Sequence, residues 1–203
     1  HALYAAIPSG LGQGGLQGIY EKELLKILEE GSQWALRRGY ADSQDLQATE
    51  DGGRMQGAEN RTVSERAIKR GCQQVGSLGA GNHFIEISVV DEIFHPAAAA
   101  SMGLMEGCVC LMLHSGSRGL GHQICSDYVQ QYQAAQAEFK FSLPDRELVC
   151  APIESKQGQA YLGAMACAAN FAFCNRQVMA HLAQQVFEKT LAGKCRQPYL
   201  HMV

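Results

Sequence analysis

The chain has 203 residues, with 17 Lys and Arg against 20 Asp and Glu, a formal net charge of -3, 46% apolar residues and 18% charged ones. Such a balance excludes a disordered polymer and a polycation that coats nucleic acid through bulk charge, while leaving a local basic site open. No apolar stretch reaches the roughly 20 residues that span a bilayer and no signal peptide is visible, so a soluble chain without membrane contact is expected, cytoplasmic or, in a eukaryote, nuclear.

In chain order, Ala5 to Gly18 holds Pro8 and glycines at 10, 12, 14, 15 and 18 with no periodicity, which predicts a loop. From Tyr20 to about Arg38, Leu24, Ile27, Leu28, Gly31, Trp34 and Ala35 recur at spacings of three and four opposite Glu21, Glu23, Glu29 and Glu30, which predicts one amphipathic helix. Ala41 to Asn60 is polar and reads as a surface excursion. Val63 to Arg70 reads as a short helix, with Ser64 near its start, Lys69 and Arg70 in its last turn and Gly71 just beyond.

His83 to Val90 predicts a strand with Ile85, Ile87 and Val89 on one face and Glu86 and Ser88 on the other. Cys108 to Leu113 is a continuous apolar run, expected of a strand buried on both faces. A helix follows, with Ile124, Tyr128 and Tyr132 at every fourth position. After a loop around Pro144, Ala160 to Leu191 predicts a long helix with Leu162, Met165, Ala169, Phe173, Val178, Leu182 and Val186 on its inner face. The last residues, Tyr199 to Val203, read as a strand cut short. One α+β domain over 1–203, with mixed sheets packed against helices and incomplete at both ends, accommodates these elements.

The eight cysteines include no Cys-x-x-Cys pair, which argues against a zinc ribbon and for a reduced chain; Cys108 and Cys110 are expected in the core. Two segments gather chemistry instead. Gly76-Ser77-Leu78-Gly79-Ala80-Gly81 lets the backbone approach a ligand closely and delivers Asn82, His83 and Glu86 at the mouth of a strand. A tight turn with a hydrogen-bonded His is the plain alternative. His114 ends the second strand and precedes Ser115-Gly116-Ser117-Arg118-Gly119-Leu120-Gly121-His122, whose N–H groups, hydroxyls and guanidinium suit an anion at a helix start. A glycine-rich connection with a solvated Arg118 is the alternative there, and no Gly-Lys-Ser/Thr of a Walker loop is present. His83 and His114 could serve one divalent metal, but two nitrogens do not complete a site. His95, His122 and His181 have weaker claims.

These segments resemble the RtcB family of GTP-dependent RNA ligases. The resemblance rests on 76–86, on 114–122, on Ala151-Pro152-Ile153-Glu154-Ser155, on Gly158-Gln159-Ala160-Tyr161, on 164–170 and on Asn175-Arg176-Gln177, in that order. It implies sealing of RNA 2′,3′-cyclic phosphate or 3′-phosphate ends to 5′-hydroxyl ends, as in tRNA splicing and RNA repair. The route passes through a guanylylated histidine, with GTP and two Mn2+ ions, and accessory activating proteins are possible partners. By the same resemblance His83 and His114 are metal ligands, Asn82, His83, Phe84, Ile85 and Glu86 form the guanylate-contacting segment, and Arg118 is the catalytic residue that holds an RNA phosphate.

A regular strand would place Asn82 and Glu86 opposite His83, so a twist or bulge at Gly81-Asn82 is expected. If both histidines serve a metal pair, their ring nitrogens are expected within about 8 Å of each other. The family's upstream Asp-x-x-Cys, third metal histidine and histidine that accepts GMP do not occur here, so the sequence reads as a central segment that does not join RNA alone. The alternatives are a non-catalytic RNA-binding or complex-forming relative, and a metal-dependent phosphodiesterase that needs the histidines but not Glu86.

Overall fold

The computed structural model describes residues 1–10, 14–136, 138–139, 143–145, 148–195 and 200. Its helices are α1 (Ala2–Ala6), α2 (Glu21–Glu30), α3 (Ser32–Arg37), α4 (Ser43–Gln47), α5 (Glu65–Cys72), α6 (Pro96–Ser101), α7 (Arg118–Ala135) and α8 (Lys156–Leu191). Strands β1 (Phe84–Val89) and β2 (Val109–His114) form an antiparallel pair. The α+β class expected from the sequence is what the fold shows; among the described residues the sheet has these two strands alone. The expected strand at Tyr199 to Val203 lies outside the described residues, apart from Leu200.

The 36 residues of α8 make the spine. At a rise of about 1.5 Å per residue it extends for roughly 54 Å, long enough to serve two cores. Its first two thirds pack Ala164, Cys167, Phe171, Cys174 and Val178 against Leu24, Ile27 and Leu28 of α2, Ala67 of α5 and Leu120, Ile124, Tyr128 and Tyr132 of α7, all buried. Its second half offers Met179 and Ala183 to Ile7, with Leu78, Ile85, Leu111 and Leu113 closing over them. Met165, expected on the inner face, is 38% exposed, because the true stripe runs through Ala164, Cys167 and Phe171.

Other expectations need correction. The helix read through Arg38 breaks at Gly31, whose φ of 55° and ψ of -133° turn α3 away from α2. A Cβ there would collide with the Gly53 carbonyl. The polar stretch 41–60 holds α4, capped by Asp42 and Asp45 in a capping box, and buries Leu46 and Gly53. The first loop starts later than read, since α1 runs to Ala6. Gly71 belongs inside α5, where it lets Leu120 and Leu24 approach.

The run from Cys108 to Leu113 is not buried on both faces. Val109 and Met112 are 56% and 53% exposed, and Ile87 and Val89 on β1 are exposed too. The reason is geometric: only Ile85, Leu111 and Leu113, at the end of the pair nearest α8, reach the core, and the remaining residues extend past it. Cys108 and Cys110 are half-buried and outside both cores, whereas Cys167 and Cys174 are the cysteines fully inside.

Candidate functional site

The site forms where the 73–83 loop, the end of β2 and the start of α7 meet the middle of α8. Asn175, fully buried on α8, joins these segments. Its Oδ1 accepts from the N–H groups of Gly76 at 2.7 Å and Ser77 at 3.1 Å. Its Nδ2 donates to the Ser77 carbonyl and the Gly116 carbonyl, each at 3.1 Å. One amide therefore holds both glycine-rich loops with all its principal hydrogen-bonding capacity engaged. Ser115 Oγ adds a bond to the Leu78 carbonyl at 2.6 Å, and Arg176 Nη1 donates to the Ser115 carbonyl at 3.2 Å.

On this frame the His83 and His114 rings stand 6.1 Å apart, centroid to centroid. Phe84 pairs with His114 across the strands, and its ring stacks on the imidazole at 5.3 Å and 11°. Directly opposed residues share a face, so Phe84, His114, Glu86 and Met112 lie on one side of the sheet. Ile85 lies on the other, packed toward Met179. Glu86 and Asn82 are exposed. The strand begins only at Phe84, and Gly81 has a φ of 73°, so Asn82 and His83 sit in a turn and escape strand alternation. That turn, rather than a bulge within the strand, is what frees Asn82 and His83 from the alternation that governs Glu86.

Arg118 begins α7 with a φ of 55°, a conformation that costs a residue with a side chain about 1 kcal/mol or more. Its side chain offsets that strain: Nε donates to Ser77 Oγ at 3.1 Å and one Nη2 hydrogen to the Gly10 carbonyl at 2.8 Å. Part of the fork expected to grip an anion is thus spent on the protein, while Nη1 makes no bond among the described residues. Gly79 fits between Arg118 and His83, since a Cβ there would collide with both Nη1 and Nδ1.

His83 Nδ1 is buried without a hydrogen-bond partner among the described residues. Burial first, then the positive charge of Arg118 and the neighbouring His114, holds the His83 pKa below its ordinary value, which favours the neutral imidazole. A neutral ring is the form that ligates a metal. Among the described residues no group of three or more His, Cys, Asp or Glu converges, so the donor set here is the two imidazoles. His122 is exposed, His95 caps α6 by accepting from the Ala98 N–H at 3.1 Å, and His181 stands edge-on to Tyr40 at 5.3 Å. Sequence reasoning missed the organising role of Asn175. Its signal was an Asn amid the apolar residues of a long helix, a polar group that must find partners once buried.

The family described as tRNA-splicing ligase RtcB matches residues 1–203. A tRNA-splicing ligase RtcB of Archaeoglobus fulgidus is 45% identical over 189 residues, covering 93% of this chain and 39% of that protein. The RNA-splicing ligase RtcB of Mycobacterium tuberculosis is 48% identical over 186 residues, 91% of this chain and 43% of that protein. The tRNA-splicing ligase RtcB of Thermococcus kodakarensis is 43% identical over 201 residues, 99% and 42%. The chain spans about two fifths of the length of these relatives.

Proposed function

The chain belongs to the RtcB family of tRNA-splicing ligases, and from that membership we propose that it forms part of the site of a GTP-dependent RNA ligase. The observation that supports this reading is the placement of His83 and His114, 6.1 Å apart beside Arg118 at a helix start. The donor chemistry suits a borderline divalent ion, for which neutral imidazole is a good ligand. Mn2+ ions held by His83 and His114, with donors beyond the described residues, would supply charge neutralisation at phosphate oxygens.

The chain's own residues then have separable tasks. Phe84 keeps the His114 ring in one orientation by stacking on it. Asn175 fixes the two loops so that the imidazoles stay in register. Arg118 presents Nη1 to an RNA phosphate, next to the first N–H groups of α7. The Gly119 N–H is already given to Gln74 Oε1 at 2.8 Å, so the anion would be met by the side chain more than by the helix end. Glu86, exposed on the Phe84 face, accepts from the N1 and amino hydrogens of guanine, while Asn82 in the preceding turn contacts the guanylate phosphate. Ile85 anchors the strand between them to the core. RNA halves left by tRNA cleavage, or broken RNA, are the substrates, in the cytoplasm or nucleus.

The test is RNA joining by the complete protein from the same gene, supplied with GTP, Mn2+ and RNA ends bearing a 2′,3′-cyclic phosphate and a 5′-hydroxyl. Joining is expected, and it is lost in His83→Ala and His114→Ala; Glu86→Gln weakens discrimination of GTP from ATP during guanylylation. Cleavage of phosphodiesters without nucleotide, or no joining at all, would remove the ligase reading.

A further inference from the structure

The charge of α5 is arranged for something other than helix stability. Ala67, Ile68 and Gly71 are buried, and the opposite side exposes Arg66, Lys69 and Arg70 at i, i+3 and i+4. None of the three cations pairs with a carboxylate among the described residues, whereas Lys26, Arg37, Arg38 and Arg61 all do. Lys69 and Arg70 in the last turn complement the helix dipole. Arg66 sits in the first turn, where a cation opposes it, so dipole complementarity does not account for the set.

The three cations stand with Ser64, Glu65 and Gln73 around a shallow, open groove on the exposed face of α5. Its direction follows from helix packing. Ser64 Oγ donates to Asp127 Oδ2 at 2.6 Å at one end, and at the other Gly71 abuts Leu120, so α5 and α7 run antiparallel. The C-terminal end of α5, and with it Gln73 at the end of the groove, therefore lies toward the start of α7, where the next residue, Gln74, accepts from the Gly119 N–H beside Arg118. Three cations against Glu65 make this groove locally positive on a chain whose formal charge is -3.

We propose that the α5 groove is the track along which the phosphodiester backbone of single-stranded RNA approaches the His83, His114 and Arg118 site. The proposal rests on the ligase reading and adds a binding surface outside that site. A regular succession of negative charges suits cations one helical turn apart, and the groove carries no aromatic side chain for base stacking, so binding there is independent of sequence.

The experiment is fluorescence anisotropy of a labelled 12-nucleotide RNA with this chain over a KCl series. Combined Arg66→Ala, Lys69→Ala and Arg70→Ala is expected to weaken binding at least tenfold at low salt. It should also flatten the slope of log K against log salt by about 2, at about 0.7 per phosphate contact on a single strand. Lys189→Ala with Lys194→Ala, two exposed charges removed from the end of α8, should leave the slope unchanged. Arg66→Lys with Arg70→Lys, which keeps charge and fold, should retain it as well.

An unaltered slope in the triple variant, equal loss in the α8 control, or equally tight binding of a polyglutamate peptide would overturn the proposal. If the complete protein carrying the triple variant still joins RNA with an unchanged KM, the groove fails and the ligase reading stands. If the complete unaltered protein joins nothing, the ligase reading fails first.

Discussion

At the scale of single residues, Asn175 and His83 carry separate consequences. Asn175→Ala would strand two N–H groups and two carbonyls in a buried place, each of which costs about 1 to 3 kcal/mol when left unpaired. Partial relaxation lowers that sum, and a loss of about 3 kcal/mol in urea unfolding is expected. A loss below 1 kcal/mol would mean that the loops hold their positions without the amide. His83 titrates lower in the folded chain than in the unfolded one, since burial, Arg118 and His114 all disfavour its charged form. Below the unfolded value of 6.5 the unfolded state binds more protons than the native state, so stability falls as pH drops until the folded value is passed. Urea unfolding between pH 7.5 and 5 should therefore lose more stability in the unaltered chain than in His83→Gln. Parallel curves would show that His83 titrates at the same pH in both states.

At the scale of elements, the fold shows which patterns sequence periodicity carries. The helices α7 and α8 were legible because Ile124, Tyr128 and Tyr132 repeat at four residues and because no proline, and no glycine but Gly163, interrupts 160–191, although α8 begins four residues earlier, at Lys156. The break at Gly31 was not, since the apolar spacing continues through it and the cause lies 22 residues later, in the Gly53 carbonyl. Asn170 closes this corner: its Oδ1 accepts from the Met55 N–H at 2.7 Å and its Nδ2 donates to the Leu28 carbonyl at 2.9 Å. Gly31→Ala must therefore relieve both a positive φ and a backbone collision. It should destabilise the chain by about 3 kcal/mol or more by thermal or urea unfolding, with α2 and α3 the first segments to exchange amide hydrogens. A change below 1 kcal/mol would show that Gly53 can give way.

The strands failed differently. Apolar run length predicted burial that only neighbouring elements could provide, and α8 covers one end of the pair. The site motifs were legible as residues, His83 and His114 at strand ends beside glycines, but the means of bringing them together was not. That depends on a buried amide about 60 residues from the nearer loop, to which periodicity is blind.

At the scale of the whole molecule, one long helix links a helical core to a small sheet and sets the candidate site at their junction. None of the described helices is long and apolar enough to cross a membrane. Two imidazoles without a third clustered donor bind a first-row divalent ion weakly, so this chain by itself is expected not to form a guanylylated product or to join RNA. The central claim is narrower than activity: His83 and His114 are metal donors. Pulsed electron paramagnetic resonance of Mn2+ added to the complete protein from the same gene at neutral pH tests it directly. The account predicts imidazole-nitrogen couplings that diminish in His83→Gln and in His114→Gln and vanish in the double variant. Couplings that survive the double variant, or a spectrum of purely water-ligated Mn2+ with the unaltered complete protein, would contradict it.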